Sequence, residues 1–138
     1  MTEVASLIQV AAAIIYNSEG KVLIARRREG KSQAGFWEFP GGKIEDGEDA
    51  CACLRRELIE EMGIAIVPYE YFGVNEHRYG GVLHIRLIAW KAEYRGGDII
   101  LTDHDDCRWE RPGELERFLF APADIPFVQK LDSEAGKR

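Results

Sequence analysis

Apolar residues along the chain fall into two kinds of run, and the spacing within each predicts an element. Residues 7–16, rich in Val, Ile and Ala, have the near-continuous apolar character of a buried strand. Asn17-Ser18-Glu19-Gly20 is a turn signal, and the apolar pattern resumes over 21–25, so these two strands pair as a hairpin. Residues 26–35 are polar and predict a loop. A short aromatic strand at 36–39 ends at Pro40-Gly41-Gly42. From 48 to 62 the period changes to helical, and Gly63 closes the segment as a C-terminal cap. Strands follow at 64–74 and 82–92, the second flanked by Gly80-Gly81 and Gly96-Gly97, with a shorter one at 108–110. Pro112-Gly113-Glu114-Leu115 opens a helical turn, residues 122–131 a last helix, and 132–138 form a tail expected to fray. Hairpins intermixed with helices, without regular βαβ units, predict an α/β (α+β) sandwich: a mixed β-sheet between helices.

Placing the residues of the 48–62 helix at 100° steps puts Cys51, Leu54, Leu58 and Met62 in one sector facing the core. Glu57, Glu60 and Glu61 occupy the neighbouring arc, along the border of that sector. Like charges at this spacing repel, and a cation relieves the repulsion. Hard oxygen ligands suit Mg²⁺ or Mn²⁺, which usually serve a phosphate substrate. A solvated acidic face with Arg55 and Arg56 as local ion partners is the competing reading of the helix taken alone.

Composition narrows the classes. With 138 residues, 46% of them hydrophobic and 30% charged, the chain fits one soluble domain over 1–138 with a core of its own. A net charge of −6 argues against binding a nucleic-acid polymer, yet leaves room for a small polyphosphate, because bound metal reverses the local field. Cys51, Cys53 and Cys107 form no CxxC pair, which argues against structural zinc and a disulfide framework. Buried hydrophobe is the favoured role for Cys51. The apolar run after Val10 is too short for a membrane span, and Glu3 stands where a leader would be basic, so a cytoplasmic protein is expected. Both monomer and homodimer remain open.

Gly42, Glu48, Arg56-Glu57-Leu58, Glu60-Glu61 and Gly63-Ile64, at their spacings, resemble a complete Nudix box, and the resemblance runs from about residue 7 to about 131. It implies the Nudix sandwich and hydrolysis of a nucleoside diphosphate linked to another group. By the same resemblance Glu57, Glu60 and Glu61 hold the metal with the Gly41 carbonyl, Glu57 also activates water, and Arg56, paired with Glu48, orients the carboxylates. Gly42 and Gly47 let the loop turn and approach phosphate, or serve a plain turn. Asp103, six residues before Trp109, corresponds to a further acidic ligand, with Asp105 and Asp106 as competitors and a solvated acidic turn as the alternative. Among members of the MutT type, Arg27 corresponds to an arginine near the substrate, and the strand carrying Phe36 and Glu38 is placed to line a base pocket.

Phe120 to Pro126, FAPADIP, resembles the segment in which MutT-type enzymes read the base. Asp124 stands where the 8-oxo-dGTP enzyme carries Asn, and the same segment resembles CTP pyrophosphohydrolases. An ionised carboxylate only accepts hydrogen bonds, which suits the amine of cytosine. A protonated one also donates, and a helix N-cap is the plain alternative. The expected activity is Mg²⁺-dependent cleavage of a nucleoside triphosphate to monophosphate and pyrophosphate. 8-oxo-dGTP is the first candidate substrate, and CTP, dCTP or an oxidised cytosine nucleotide the second. A non-catalytic nucleotide sensor is the reading from another class. Of the histidines, His84 reads as structural, and His104, beside Asp103, as a candidate phosphate contact.

Overall fold

The structure, a computed structural model, describes residues 6–136. The expectations about Glu3 and about the last two residues of the tail lie outside them. Its strands are β1 (Ser6–Tyr16), β2 (Val22–Arg27), β3 (Trp37–Glu38), β4 (Gly41–Lys43), β5 (Ala65–Tyr79), β6 (Leu83–Gly96) and β7 (His104–Glu110). The helices are α1 (Ala50–Met62) and α2 (Ile125–Ala135), with 3-10 turns at Pro112–Arg117 and Pro122–Asp124. One mixed sheet runs β3-β2-β1-β6-β5, with β4 added to β1 and β7 to β2. β1 and β6 are parallel over their shared length, and the other pairs are antiparallel. This is the expected mixed sheet between helices.

The continuous apolar run has its cause in the middle of β1, where residues 11–15 are buried on both faces. Side chains alternate across a strand. Ala12 and Ile14, with Val22 and Ile24 of β2, face a core completed by Phe127, Val128 and Leu131 of α2. Ala11, Ala13 and Ile15, with Leu23 and Ala25, face Cys53, Leu54, Leu58 and Met62 of α1. Each large aliphatic side chain buried this way stabilises the fold by about 1.5–3 kcal/mol.

α1 starts at Ala50, where Asp49 caps it by accepting from Ala52 N at 2.8 Å. Gly63 takes the expected left-handed conformation at φ 68° and donates to Ile59 O. Cys53, rather than Cys51, is the buried cysteine of this helix. Its thiol reaches the carbonyls of Gly42 and Lys43 at 3.5 and 3.3 Å, and burial pushes its pKa up to about 12. The helix packs there on β4, a strand hidden in sequence inside an apparent glycine turn.

Other boundaries move for local reasons. β7 begins at His104, not 108, because its backbone pairs with β2 from Arg27↔His104 onward, and one of its acids, Asp105, meets Arg26 of β2 at 2.6 Å. α2 continues through Ala135, so residues 132–135 of the expected tail are helical. Among the described residues no helix is long and apolar enough to cross a membrane.

The sheet splits where the site forms. β3 pairs with β2 through Ala25↔Glu38, whereas β4 pairs with β1 through Ala12↔Gly41. Phe39 and Pro40 carry the chain across the step. A bridge from Trp37 to Phe120 ties the segment before α2 beside it, with Ala121 N donating to Trp37 O at 2.9 Å.

Candidate active site

Two neighbouring groups of side chains form the site, a carboxylate shelf on α1 and a cleft at the split of the sheet. The shelf exists because β4 has no side chains where α1 approaches. A Cβ on Gly42 would collide with the Glu57 carboxylate, and one on Gly41 with the Ala11 carbonyl. Neither glycine has a positive φ, so close approach, not a turn, requires them. Gly47, at φ 79° with open space around it, holds the plain turn role.

Arg56 organises the shelf. Its Nε and Nη2 donate to the two oxygens of Glu48, each at 2.8 Å, a bidentate geometry that fixes the guanidinium plane. Nη1 then donates to Glu57 Oε1 at 2.7 Å and Glu60 Oε2 at 3.3 Å. The Arg56 bonds, with a further one from Glu45 N, hold the Glu48 carboxyl down to about 2. Glu48 can reach back this way because it lies ahead of the helix, in the loop.

Glu61 sits deeper. Burial, and then the carboxylates of Asp103 and Glu57, push its pKa up to about 9. The segment before β7 is tied down beside it. Thr102 Oγ1 donates to Glu61 O at 2.9 Å, Ile100 N to Met62 O at 3.0 Å, and Arg28 N to Asp103 O at 3.2 Å. Asp103 therefore meets Glu61, with Lys31 Nζ 3.0 Å away holding its pKa below the usual Asp value. Its competitors are engaged elsewhere, Asp105 with Arg26 and Asp106 with Arg108 at 3.5 Å.

Glu57, Glu61 and Asp103 thus crowd together, and burial with their mutual repulsion disfavours ionised Glu61, a strain that a hard divalent cation relieves. The side chains among the described residues do not yet form a ready coordination cage. Arg56 draws Glu57 and Glu60 toward itself, and Glu60 is 60% exposed at the rim.

The cleft, about 90 Å³, is lined by Val10, Arg27, Glu38, Phe39, Leu87 and Asp124 and floored by Gly41 and Gly42, which join it to the shelf. Arg27 Nη1 meets Glu38 Oε2 at 3.2 Å, and its Nη2 meets Ser32 Oγ at 3.2 Å. Asp124 is 5% exposed. It stands at the start of α2 without a side-chain capping bond, and its Oδ1 instead accepts from Phe39 N at 3.1 Å. Burial, and then the nearby Glu38 charge, raise its pKa well above the usual Asp value.

Of the candidates named from sequence, Glu57, Glu60, Glu61, Asp103, Arg56 and Gly41 gather at the shelf, and Arg27, Glu38 and Asp124 at the cleft. Phe36 does not line it; Phe39 does, at the turn out of β3 where strand alternation ends. His104 is buried and donates from Nε2 to Glu38 Oε2 at 2.8 Å, leaving Nδ1 without a partner, which replaces its expected role as a phosphate contact. Sequence reasoning also missed Val10 and Leu87, whose signal was the buried alternation of β1 and β6.

Residues 7–131 match the NUDIX domain family model. The CTP pyrophosphohydrolase of Escherichia coli strain K12 is 39% identical over 123 residues, covering 89% of this chain and 90% of the relative. The 8-oxo-dGTP diphosphatase of that strain is 34% identical over 124 residues, covering 90% and 95%. The crystal structure of the MutT protein from Methanosarcina mazei Go1 superposes with a TM-score of 0.85 at 27% identity, covering 99% of this chain and all of the other. The fold, the carboxylate shelf behind a two-glycine strand and these likenesses together place the chain in the Nudix hydrolase family.

Proposed function

We propose that the chain is a Mg²⁺-dependent nucleoside triphosphate pyrophosphohydrolase that reads cytosine-type nucleotides, releasing the monophosphate and pyrophosphate. The observation that carries the choice of base is the pair of acidic side chains, Glu38 and Asp124, lining one cleft that opens onto the shelf.

Glu57, Glu61, Asp103 and the exposed Glu60, with the Gly41 carbonyl, would hold the metal. A divalent ion bound there neutralises phosphate charge and lowers the pKa of water. Arg56 fixes Glu57 through Oε1, so Oε2 is the oxygen left to take a proton from the attacking water. The water oxygen bonds to the β-phosphorus as the bridge to the α-phosphate breaks, and the bridging oxygen leaves with the monophosphate.

Cytosine offers an amine beside a ring acceptor. Glu38, held by Arg27 and His104, accepts from such an amine. Asp124, whose burial favours the neutral form, can donate to the ring nitrogen. The similarity to a CTP pyrophosphohydrolase supports the same reading. A second reading, 8-oxo-dGTP, is favoured by one feature: a neutral Asp124 both donates and accepts, as an amide does at that position, and 8-oxo-dGTP diphosphatases are also relatives. Initial rates over a panel of nucleoside triphosphates separate the two. A kcat/KM for CTP or dCTP above that for 8-oxo-dGTP is expected, and the reverse order would establish the second reading instead.

A further inference from the structure

Ala123, immediately before Asp124, is buried, and its two main-chain polar groups need partners. Local structure is poor in them. Ala123 lies in a 3-10 turn of only three residues, Pro122–Asp124, and Pro126, one 3-10 step on, has no N–H to return to the Ala123 carbonyl. Both partners come instead from one strand. Tyr79 Oη accepts from Ala123 N at 3.1 Å, and Asn75 Nδ2 donates to Ala123 O at 3.0 Å. Asn75 and Tyr79 are an even number of residues apart on β5 and so share a face. His77, between them, packs edge-on against the Tyr79 ring at 4.5 Å between centroids. Neither side chain lines the cleft.

We propose that Asn75 and Tyr79 are positioning residues for nucleobase selection: they clamp the backbone of Ala123 from both sides and so set where the Asp124 carboxyl stands in the cleft. Asp124 is then held at three points, two through the backbone of its neighbour and one through its own bond to Phe39 N. Strand β5 thereby acts on base choice without touching substrate. Burial raises the Tyr79 pKa and the bond from the Ala123 N–H acts against it, as this placement requires. The proposal rests on the reading that Asp124 contacts the base.

The test compares the ratio of kcat/KM for CTP to that for 8-oxo-dGTP in the wild type and in Tyr79→Phe, Asn75→Leu and Asp124→Asn. Tyr79→Phe loses a single oxygen and keeps the ring packing, so it is the deciding variant. Expected is a change of roughly tenfold in the ratio for each clamp variant, the scale of one lost hydrogen bond to a buried group, carried by KM with kcat within about twofold. Faster hydrogen exchange at the Ala123 amide should accompany it in Tyr79→Phe. A ratio that moves in Asp124→Asn but stays at the wild-type value in Tyr79→Phe and Asn75→Leu overturns the clamp and leaves Asp124 as the base reader. A ratio unmoved in Asp124→Asn removes the base-reading role and the clamp with it.

Discussion

At the scale of single residues, charge decides what each group can do. Glu57 has Oε1 on Arg56 and Oε2 against Gly42, so replacing it by Gln keeps the shape while removing a proton acceptor. Glu57→Gln should lower kcat by about 10²–10⁴-fold with an unchanged melting temperature, measured by steady-state kinetics and thermal melting. Asp124 predicts a pH dependence. Its folded-state pKa is raised, so its contribution to stability is fully present below the unfolded value near 3.8 and is lost as pH rises toward the folded value. Asp124→Asn, which can still accept from Phe39 N, should therefore melt higher than the wild type at pH 7. That advantage should vanish near pH 4, and an equal difference at both pH values would refute the buried-acid assignment. Sequence named Glu38 and Asp124 separately as base-pocket candidates, and the structure brings both to one cleft; it gave His104 a phosphate contact, whereas the ring lies behind Glu38. A lone histidine beside an acidic turn gives no sign that its ring faces inward until β7 is known to pair with β2.

At the scale of elements, what could be read from the chain was what depends on local period. The apolar stripe Leu54, Leu58, Met62 and the cap at Gly63 located α1, and with it the edge on which the carboxylates stand. What stayed hidden depends on partners distant in sequence. β4 has only glycines and a lysine, so no pattern betrays a strand; backbone pairing with residues 10–12 of β1 makes it one, and the close approach of Ala11 and Glu57 demands its glycines. The same blindness exchanged Cys51 for Cys53, whose place is set by its bonds to β4. Gly42 thus joins strand and helix at a distance where a methyl group does not fit. Gly42→Ala should cost about 1–3 kcal/mol of stability, the usual range for overpacking, and reduce kcat by displacing Glu57. Denaturant titration and kinetics on one preparation check both. A fully active, equally stable variant would show that the close contact does not govern the site.

At the scale of the whole molecule, one sheet with a core on each face brings together side chains from the two ends of the chain. The α1 core sets the shelf, the α2 core sets Asp124, and the split between β3 and β4 joins them. Alternation along β1 made the two-sided burial legible; the split did not, because it depends on which neighbour each short strand chooses. The central claim is that this shelf directs water to the β-phosphorus of a nucleoside triphosphate. Hydrolysis of CTP with Mg²⁺ in ¹⁸O-labelled water, with products resolved by mass spectrometry, tests it most directly. Monophosphate and pyrophosphate in equal amounts, with the label in pyrophosphate, is the predicted result; label in the monophosphate, or release of orthophosphate and diphosphate, would contradict it.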